Sequence, residues 1–295
     1  MKILYIISLA LLFQSCIAQK KPKLSYSKDN NTLLWEISGK DLKQPSYMFG
    51  TFHIMCKEDI LFSENLQKAL TFSKEVYFEM DLDDAASTLG GIFFMNMKNK
   101  TLKDLYTEKE YDKLSLFFRD SIKISLNTFN KMKPMMLEAF LYPRMMPCKN
   151  ASGVEMELMT IAIKQKKEIK GFETIEFQSS VFDSIPYDVQ AKALLKDIDS
   201  GMVYRAYFNK MLKVYKNQET DKLVEIIADT AFGEGLNNDM MLKNRNENWV
   251  KQLKKIMPST NIFMGVGAAH LFGKDGLITI LRREGYTIKG IKNKL

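Results

Sequence analysis

The chain has 295 residues, 46% hydrophobic and 26% charged, a balance that excludes a disordered or fibrous protein and allows one large domain or two small ones. Three cysteines exclude a disulfide-dense or Cys-rich metal scaffold, and the two histidines, His53 and His270, are the only imidazole ligands on offer. The formal net charge of +8 includes lysines at both ends. With no basic run interleaved with aromatics, it reads as solvated tails and not as a nucleic-acid surface.

Lys2 precedes the apolar run Ile3–Phe13, which ends in Cys16-Ile17-Ala18 before Gln19. That order predicts a secretory signal over residues 1–18, cleaved after Ala18, and a periplasmic or secreted protein. Lipidation at Cys16 is the alternative and would hold the chain at a membrane. Against it, Gln14 sits where a lipobox has a small residue. Export would permit a Cys56–Cys148 disulfide; two buried thiols are the other outcome.

Leu33–Ile37 and Ser46–Phe52 are β-rich runs separated by turn residues, which predicts a hairpin. Ser63–Phe72 has a helical apolar face. Glu75–Leu82 alternates, with Val76, Phe78, Met80 and Leu82 on one face and Tyr77, Glu79 and Asp81 on the other, as in a half-buried strand. Residues from about 84 to 150 are Met- and Phe-rich with helical spacing and predict an inserted helical subdomain. Within it Thr107-x-x-Glu110 is a capping box, and Pro134 opens a further helix. Met132, Met135, Met136, Met145 and Met146 are either core or the lining of an adaptable groove.

Helices are predicted at Val154–Lys167, Pro186–Leu195, Gly201–Tyr215, Asp221–Ala228, Asp239–Met257 and Gly276–Arg283, with strands at Glu168–Phe172, Asn261–Val266 and Tyr286–Ile291. The expected class is α/β: over residues 19–295, a mixed β-sheet core flanked by helices, with the helical insert.

Both histidines lie in Gly-x-x-His after an apolar strand: Gly50-Thr51-Phe52-His53 and Gly267-Ala268-Ala269-His270. Ligand crevices in open α/β sheets lie beyond the carboxyl ends of strands. Two such corners on neighbouring strands, with Glu79 from the third strand, would give two imidazoles and a carboxylate, a set that holds a divalent ion. Hydrogen-bonded turn histidines are the plainer outcome. Arg245 shares a helix face with Met241 and Trp249, so it either meets a buried anion or substrate group, or lays its stem along Trp249 with its head in water. Asn246 beside it is expected to face elsewhere. Glu173 follows a strand and either reaches the same crevice or caps the segment after it.

Together these segments resemble the TraB/PrgY/GumN family, which includes the animal Tiki proteins. The likeness rests on Leu34-Trp35-Glu36-Ile37, Phe49-Gly50-Thr51-Phe52-His53, Tyr77-Phe78-Glu79-Met80-Asp81, Gly171-Phe172-Glu173-Thr174 with Gln178, Arg245-Asn246-x-x-Trp249, and Gly267-Ala268-Ala269-His270-Leu271-x-Gly273. It implies a fold related to the erythromycin-esterase-like and ChaN-like group. It also implies metal-dependent peptidase chemistry with manganese or cobalt, in which His53, His270 and Glu79 are the essential residues. The resulting expectation is an exported metal-dependent hydrolase acting on a peptide or other small substrate. His53, His270 and Glu79 would hold Mn²⁺, Co²⁺ or Zn²⁺; Glu79 and Arg245 would be catalytic, and Arg245 and Glu173 would bind substrate. A non-catalytic binder of peptide, haem or metal is the alternative, as is a regulatory protein with structural histidines.

Overall fold

The computed structural model describes residues 21–28, 30–81, 83, 84, 91, 94–228 and 239–294, with backbone alone at 202–204, 227 and 228. The signal-like segment 1–18, including Cys16, and Leu82 lie outside the described residues.

The expected hairpin is present. Strands β1 (Leu34–Ser38) and β2 (Ser46–Thr51) pair antiparallel. Ser63 caps helix α1 (Glu64–Phe72), its hydroxyl accepting the Leu66 N–H. The chain then crosses to β4 (Glu75–Met80), after the short β3 (Met55–Cys56). Later come β5 (Ala151–Ser152), β6 (Glu168–Glu173), β7 (Ile262–Gly267) and β8 (Thr287–Ile291). Six strands form one mixed sheet in the order β6-β4-β7-β2-β1-β8. The pairs β6·β4, β4·β7 and β7·β2 are all parallel. Their carboxyl ends therefore emerge side by side on one rim.

Both faces of the sheet are covered, which makes the layering α/β/α. On one face Tyr47, Phe49, Val76, Phe78 and Phe263 pack against α1 and later helices. On the other, Trp35, Met48, Tyr77, Met264 and Val266 pack against the helix carrying Trp249 and the last helix. This explains a departure from the expected half-buried β4: positions 76–79 are all buried, because a central parallel strand has helices on both sides.

The region 94–150 is helical in short pieces. Helix α2 (Glu108–Phe117) begins with the expected capping box, Thr107 N–H donating to Glu110 Oε2 at 2.8 Å. Helices α3 (Pro134–Leu137) and α4 (Tyr142–Met145) follow, each started by a proline in its first turn. A separate apolar cluster, with Leu102, Leu114, Phe118 and Leu137, joins this region to Ala191 and Leu194. Those two belong to a long helix described next. Of the five methionines, Met132, Met145 and Met146 are core, while Met135 and Met136 face a cavity.

After α5 (Val154–Lys164) and α6 (Ile175–Asp183) comes α7 (Tyr187–Lys216), one 30-residue helix where two were expected. Ser200-Gly201 suggests a break, yet tertiary contacts on both halves carry the helix through it. Helix α8 (Thr220–Ala228), then α9 (Asn244–Ile256) after a π-turn at Asp239–Lys243, and α10 (Leu277–Arg283) complete the fold. No helix among the described residues is long and apolar enough to cross a membrane.

Cys56 and Cys148 are bonded, with Cα atoms 5.8 Å apart. The bridge sits beside the small β3·β5 ribbon. Together with Val154 N–H donating to Phe52 O at 3.0 Å, it ties the loop after β2 to the start of α5. The cluster Cys56, Glu58 and Cys148 could otherwise hold a cation. Bonded sulfurs offer no thiolate for one.

Candidate active site

Four adjacent parallel strands deliver the site. His53 follows β2, Glu79 is the penultimate residue of β4, Glu173 ends β6, and Gly267-Ala268-Ala269-His270 leaves β7. The alternation of strand side chains decides which face each one meets. Thr51 and His53 lie on the α5 side, where Glu155, in the first turn of that helix, accepts from both. His53 Nδ1 is 2.7 Å from Glu155 Oε1, and the Thr51 hydroxyl donates to the same oxygen. Glu79, two residues after Tyr77, lies on the α9 side and meets Arg245.

Arg245 is the hub of that second group. Its Nε–H donates to Glu173 Oε1 at 2.9 Å. Nη2 donates to Glu79 Oε2 at 2.7 Å and Glu173 Oε2 at 2.8 Å. Nη1 donates to Met241 O at 3.1 Å and to His270 Nε2 at 3.2 Å. A guanidinium has five N–H donors, and all five are engaged within the protein. Arg245 is therefore a clamp on two buried carboxylates and an imidazole, the first of the two outcomes expected of it. Its head is buried, not in water, and stacks 5.0 Å from the Trp249 ring.

Glu173 is likewise occupied. It accepts from Arg245 and from Trp249 Nε1 at 2.8 Å, so it reaches the crevice but supports it from behind. The cap of the next helix is Thr174, which accepts the Phe177 N–H. Asn246, expected to face away, turns toward His270. Its Oδ1 accepts from His270 Nδ1 at 2.7 Å, and its Nδ2 donates to His270 O and Asp275 O. Because Arg245 can only donate, His270 Nε2 is the acceptor and Nδ1 carries the proton. A side chain that fixes the far nitrogen of an imidazole is the usual outer support of a metal-binding histidine.

Two glycines explain the shared spacing. A Cβ on Gly50 would meet Ala268 Cα and Cβ at 3.2 Å, so Gly50 lets β2 approach the turn that carries His270. A Cβ on Gly267 would stand 3.2 Å from Glu79 Oε1 and 3.4 Å from His53 Nε2. The absent side chain keeps open the gap between the two faces of the site. Gly267 N–H also donates to Glu79 Oε1 at 2.8 Å.

The charges are set by these contacts. Burial pushes the His270 imidazole down to about 3, so it is neutral at pH 7. Burial also works against charge on His53, but the bonded Glu155 carboxylate outweighs it and raises His53 to about 9. For Glu79 burial works upward and loses to His270, His53, Arg245 and the Gly267 N–H, which hold it down to about 2. With His270 neutral, the 2.7 Å Arg245 contact is the dominant positive charge. Burial raises Glu173, and the Arg245 bonds offset only part of that.

The donor set suits a divalent ion in kind. Glu79 Oε1 is 3.8 Å from His270 Nε2, and the Gly267 gap separates it from His53 Nε2. The three donor atoms do not close to within 4.8 Å of one another, and Arg245 Nη1 holds the His270 Nε2 lone pair. These residues line a cavity of about 900 Å³, together with Met135, Met136, Val181 and Ile185. Glu155 and Asn246 are the two site residues that sequence patterns miss. An acidic residue in the first turn after Gly153 was the only local signal for Glu155.

In metal-free protein the two histidines should oppose each other in stability. His270 titrates near 3 folded against 6.5 as a free side chain. Below pH 6.5 the unfolded chain takes a proton that the folded one refuses, so stability falls as pH drops toward 3, on the order of a few kcal/mol. His53 is raised, so its contribution is complete below pH 6.5 and is lost as pH rises through about 9. Its side chain is 72% exposed to the cavity, so that limb should be shallow. Thermal unfolding in EDTA should peak near pH 6.5, with His53→Asn flattening only the alkaline side. An alkaline limb that survives His53→Asn contradicts the assignment.

The chain is an α/β/α sandwich whose polar residues gather beyond four parallel strand ends, the place where open α/β sheets carry their ligand crevices. Residues 33–290 match the TraB/PrgY/gumN family, and the chain belongs to it. It is similar to "Metalloprotease TIKI1" of Danio rerio, 23% identical over 88% of this chain and 63% of that protein. The Xenopus tropicalis TIKI1 metalloprotease is likewise 23% identical, over 88% of this chain and 61% of its own length. "Metalloprotease TIKI2" of Danio rerio is 21% identical over 89% and 61%. The chain thus matches less than two thirds of each of these curated relatives. No solved structure matches it.

Proposed function

We propose that this protein is an exported metal-dependent hydrolase, most simply a peptidase. One observation carries the reading: two imidazoles and a carboxylate, remote in sequence, converge beside an apolar cavity in a chain whose relatives are named metalloproteases. His53, His270 and Glu79 would hold Mn²⁺, Co²⁺ or Zn²⁺. Such an ion supplies a bound water of lowered pKa and a Lewis acid for the scissile carbonyl.

The chain's own groups have definite tasks in this reading. Glu155 accepts the Nδ1–H of His53 and so turns Nε2 toward the cavity. Asn246 does the same for His270. Arg245 keeps Glu79 ionised and fixed. The apolar walls hold a substrate and exclude water from the reacting bond.

Untagged protein should carry about one divalent ion per chain, lost in His53→Ala. Peptide-library cleavage should stop in EDTA, return with Mn²⁺ or Co²⁺, and fall by on the order of 10²–10⁴ in Glu79→Gln. Cleavage indifferent to both treatments sinks the metal mechanism. Intact-mass analysis of the exported protein should find Gln19 at the amino terminus; a diacylglyceryl group on Cys16 would instead establish a membrane-anchored form.

One contact favours a second reading, a peptide-binding protein without catalysis: Arg245 Nη1 occupies the nitrogen that His270 would give a metal. Peptide binding by protein that takes up no metal would decide for it.

A further inference from the structure

The same cavity is lined by two carboxyls that the site does not use. Glu138 lies in the 3-10 turn Glu138–Phe140, and Asp197 lies on α7; both line the same cavity as His53 and Glu79. Neither side chain has a hydrogen bond or ion pair with any described residue. The cavity they line also carries Met135, Met136 and Val189, with Lys192 and Lys196 of α7. Burial pushes Glu138 up to about 8, and Asp197 adds to it. Burial raises Asp197 to about 6, with Lys196 beside it drawing it partly back. Both are half-buried; a carboxyl without a partner in such a setting is costly, and a cation between two of them relieves both.

We propose that Glu138 and Asp197 form a subsite that receives a basic side chain, lysine or arginine, of an otherwise apolar peptide lying in the cavity. The proposal rests on reading the cavity as the substrate cleft of a hydrolase. The occupant must be apolar along most of its length, because methionine and branched aliphatic side chains such as Met135, Met136, Val181, Ile185 and Val189 make up much of the cavity lining. It must be basic at one point, because two unpaired carboxyls face that point. A bare Mg²⁺ or Ca²⁺ fits poorly, since such ions need six or more oxygens and the neighbouring lining is hydrocarbon. A guanidinium or ammonium on a long alkyl stem suits both surroundings.

The test uses full-length mature protein in EDTA, so that binding is read without cleavage. The probes are fluorescent apolar peptides that carry a single lysine, moved one position at a time. Each is compared with its norleucine counterpart, which keeps the alkyl stem and lacks the charge. At one lysine position the wild-type protein should bind about tenfold tighter than it binds the norleucine peptide. In the Glu138→Gln/Asp197→Asn double variant the two peptides should bind alike. Equal binding of lysine and norleucine peptides at every position overturns the proposal, as does a preference that persists in the double variant. The wild-type comparison needs no variant to fold. Lysine preference without any metal-dependent cleavage would retain the subsite and remove the hydrolase. Cleavage without lysine preference would do the reverse.

Discussion

Replacing Arg245 by methionine should destabilise the protein by about 3–5 kcal/mol, read as a shift of the urea midpoint. Glu79 and Glu173 lie at the carboxyl ends of neighbouring strands, within one residue of the last, and both are buried. With the guanidinium removed, two carboxylates would face each other out of water and His270 Nε2 would lose its donor. Arg245→Lys should recover only part of the loss. An ammonium cannot reach Glu79, both oxygens of Glu173, Met241 O and His270 together, because that pattern needs a planar fork. Adding Glu173→Gln to Arg245→Met should restore some stability, since one of the two uncompensated charges is then gone. A loss below about 1 kcal/mol in Arg245→Met would mean that the carboxylates find water, and that the clamp is not buried as described.

Gly267→Ala should separate the site from the fold. Gly267 has φ −48° and ψ 134°, which alanine adopts without strain. The added methyl would stand between Glu79 Oε1 and His53 Nε2, at 3.2 and 3.4 Å. Stability should change by no more than about 1 kcal/mol. Metal affinity and hydrolysis should fall by about 100-fold, because the gap that joins the two halves of the site is filled. Calorimetric metal titration beside thermal unfolding makes the comparison. If Gly267→Ala binds Mn²⁺ as tightly as the unaltered chain, the ion does not lie between His53 and Glu79.

The elements that local pattern foretold have local causes. Ser63 caps a helix because its hydroxyl answers an N–H three residues on. Thr107 and Glu110 close a capping box within four residues. The alternation through Val76, Tyr77, Phe78 and Glu79 marks a strand, since successive side chains must point to opposite faces. The two Gly-x-x-His corners were also visible, because a strand followed by a glycine and an imidazole is a short-range feature. So were Glu173 and Arg245 as members of the site.

What the linear chain could not convey was which faces meet. The order β6-β4-β7-β2 places residues 53, 79, 173 and 270 on one rim, and strand order arises from non-local pairing. It also sets Glu155 against His53 across 102 residues and turns Asn246 into the support of His270. The role of Arg245 depended on this too. Spacing put it on an inward helix face, but only the packing of α9 over the ends of β4 and β6 left every one of its N–H groups occupied. Sequence by itself determined most of the helices and strands, both corners and the reactive side chain types, whose energies come from neighbours a few residues away. The tertiary structure alone decided which of those side chains touch, because burial and hydrogen bonding between distant segments exist only once the layers close.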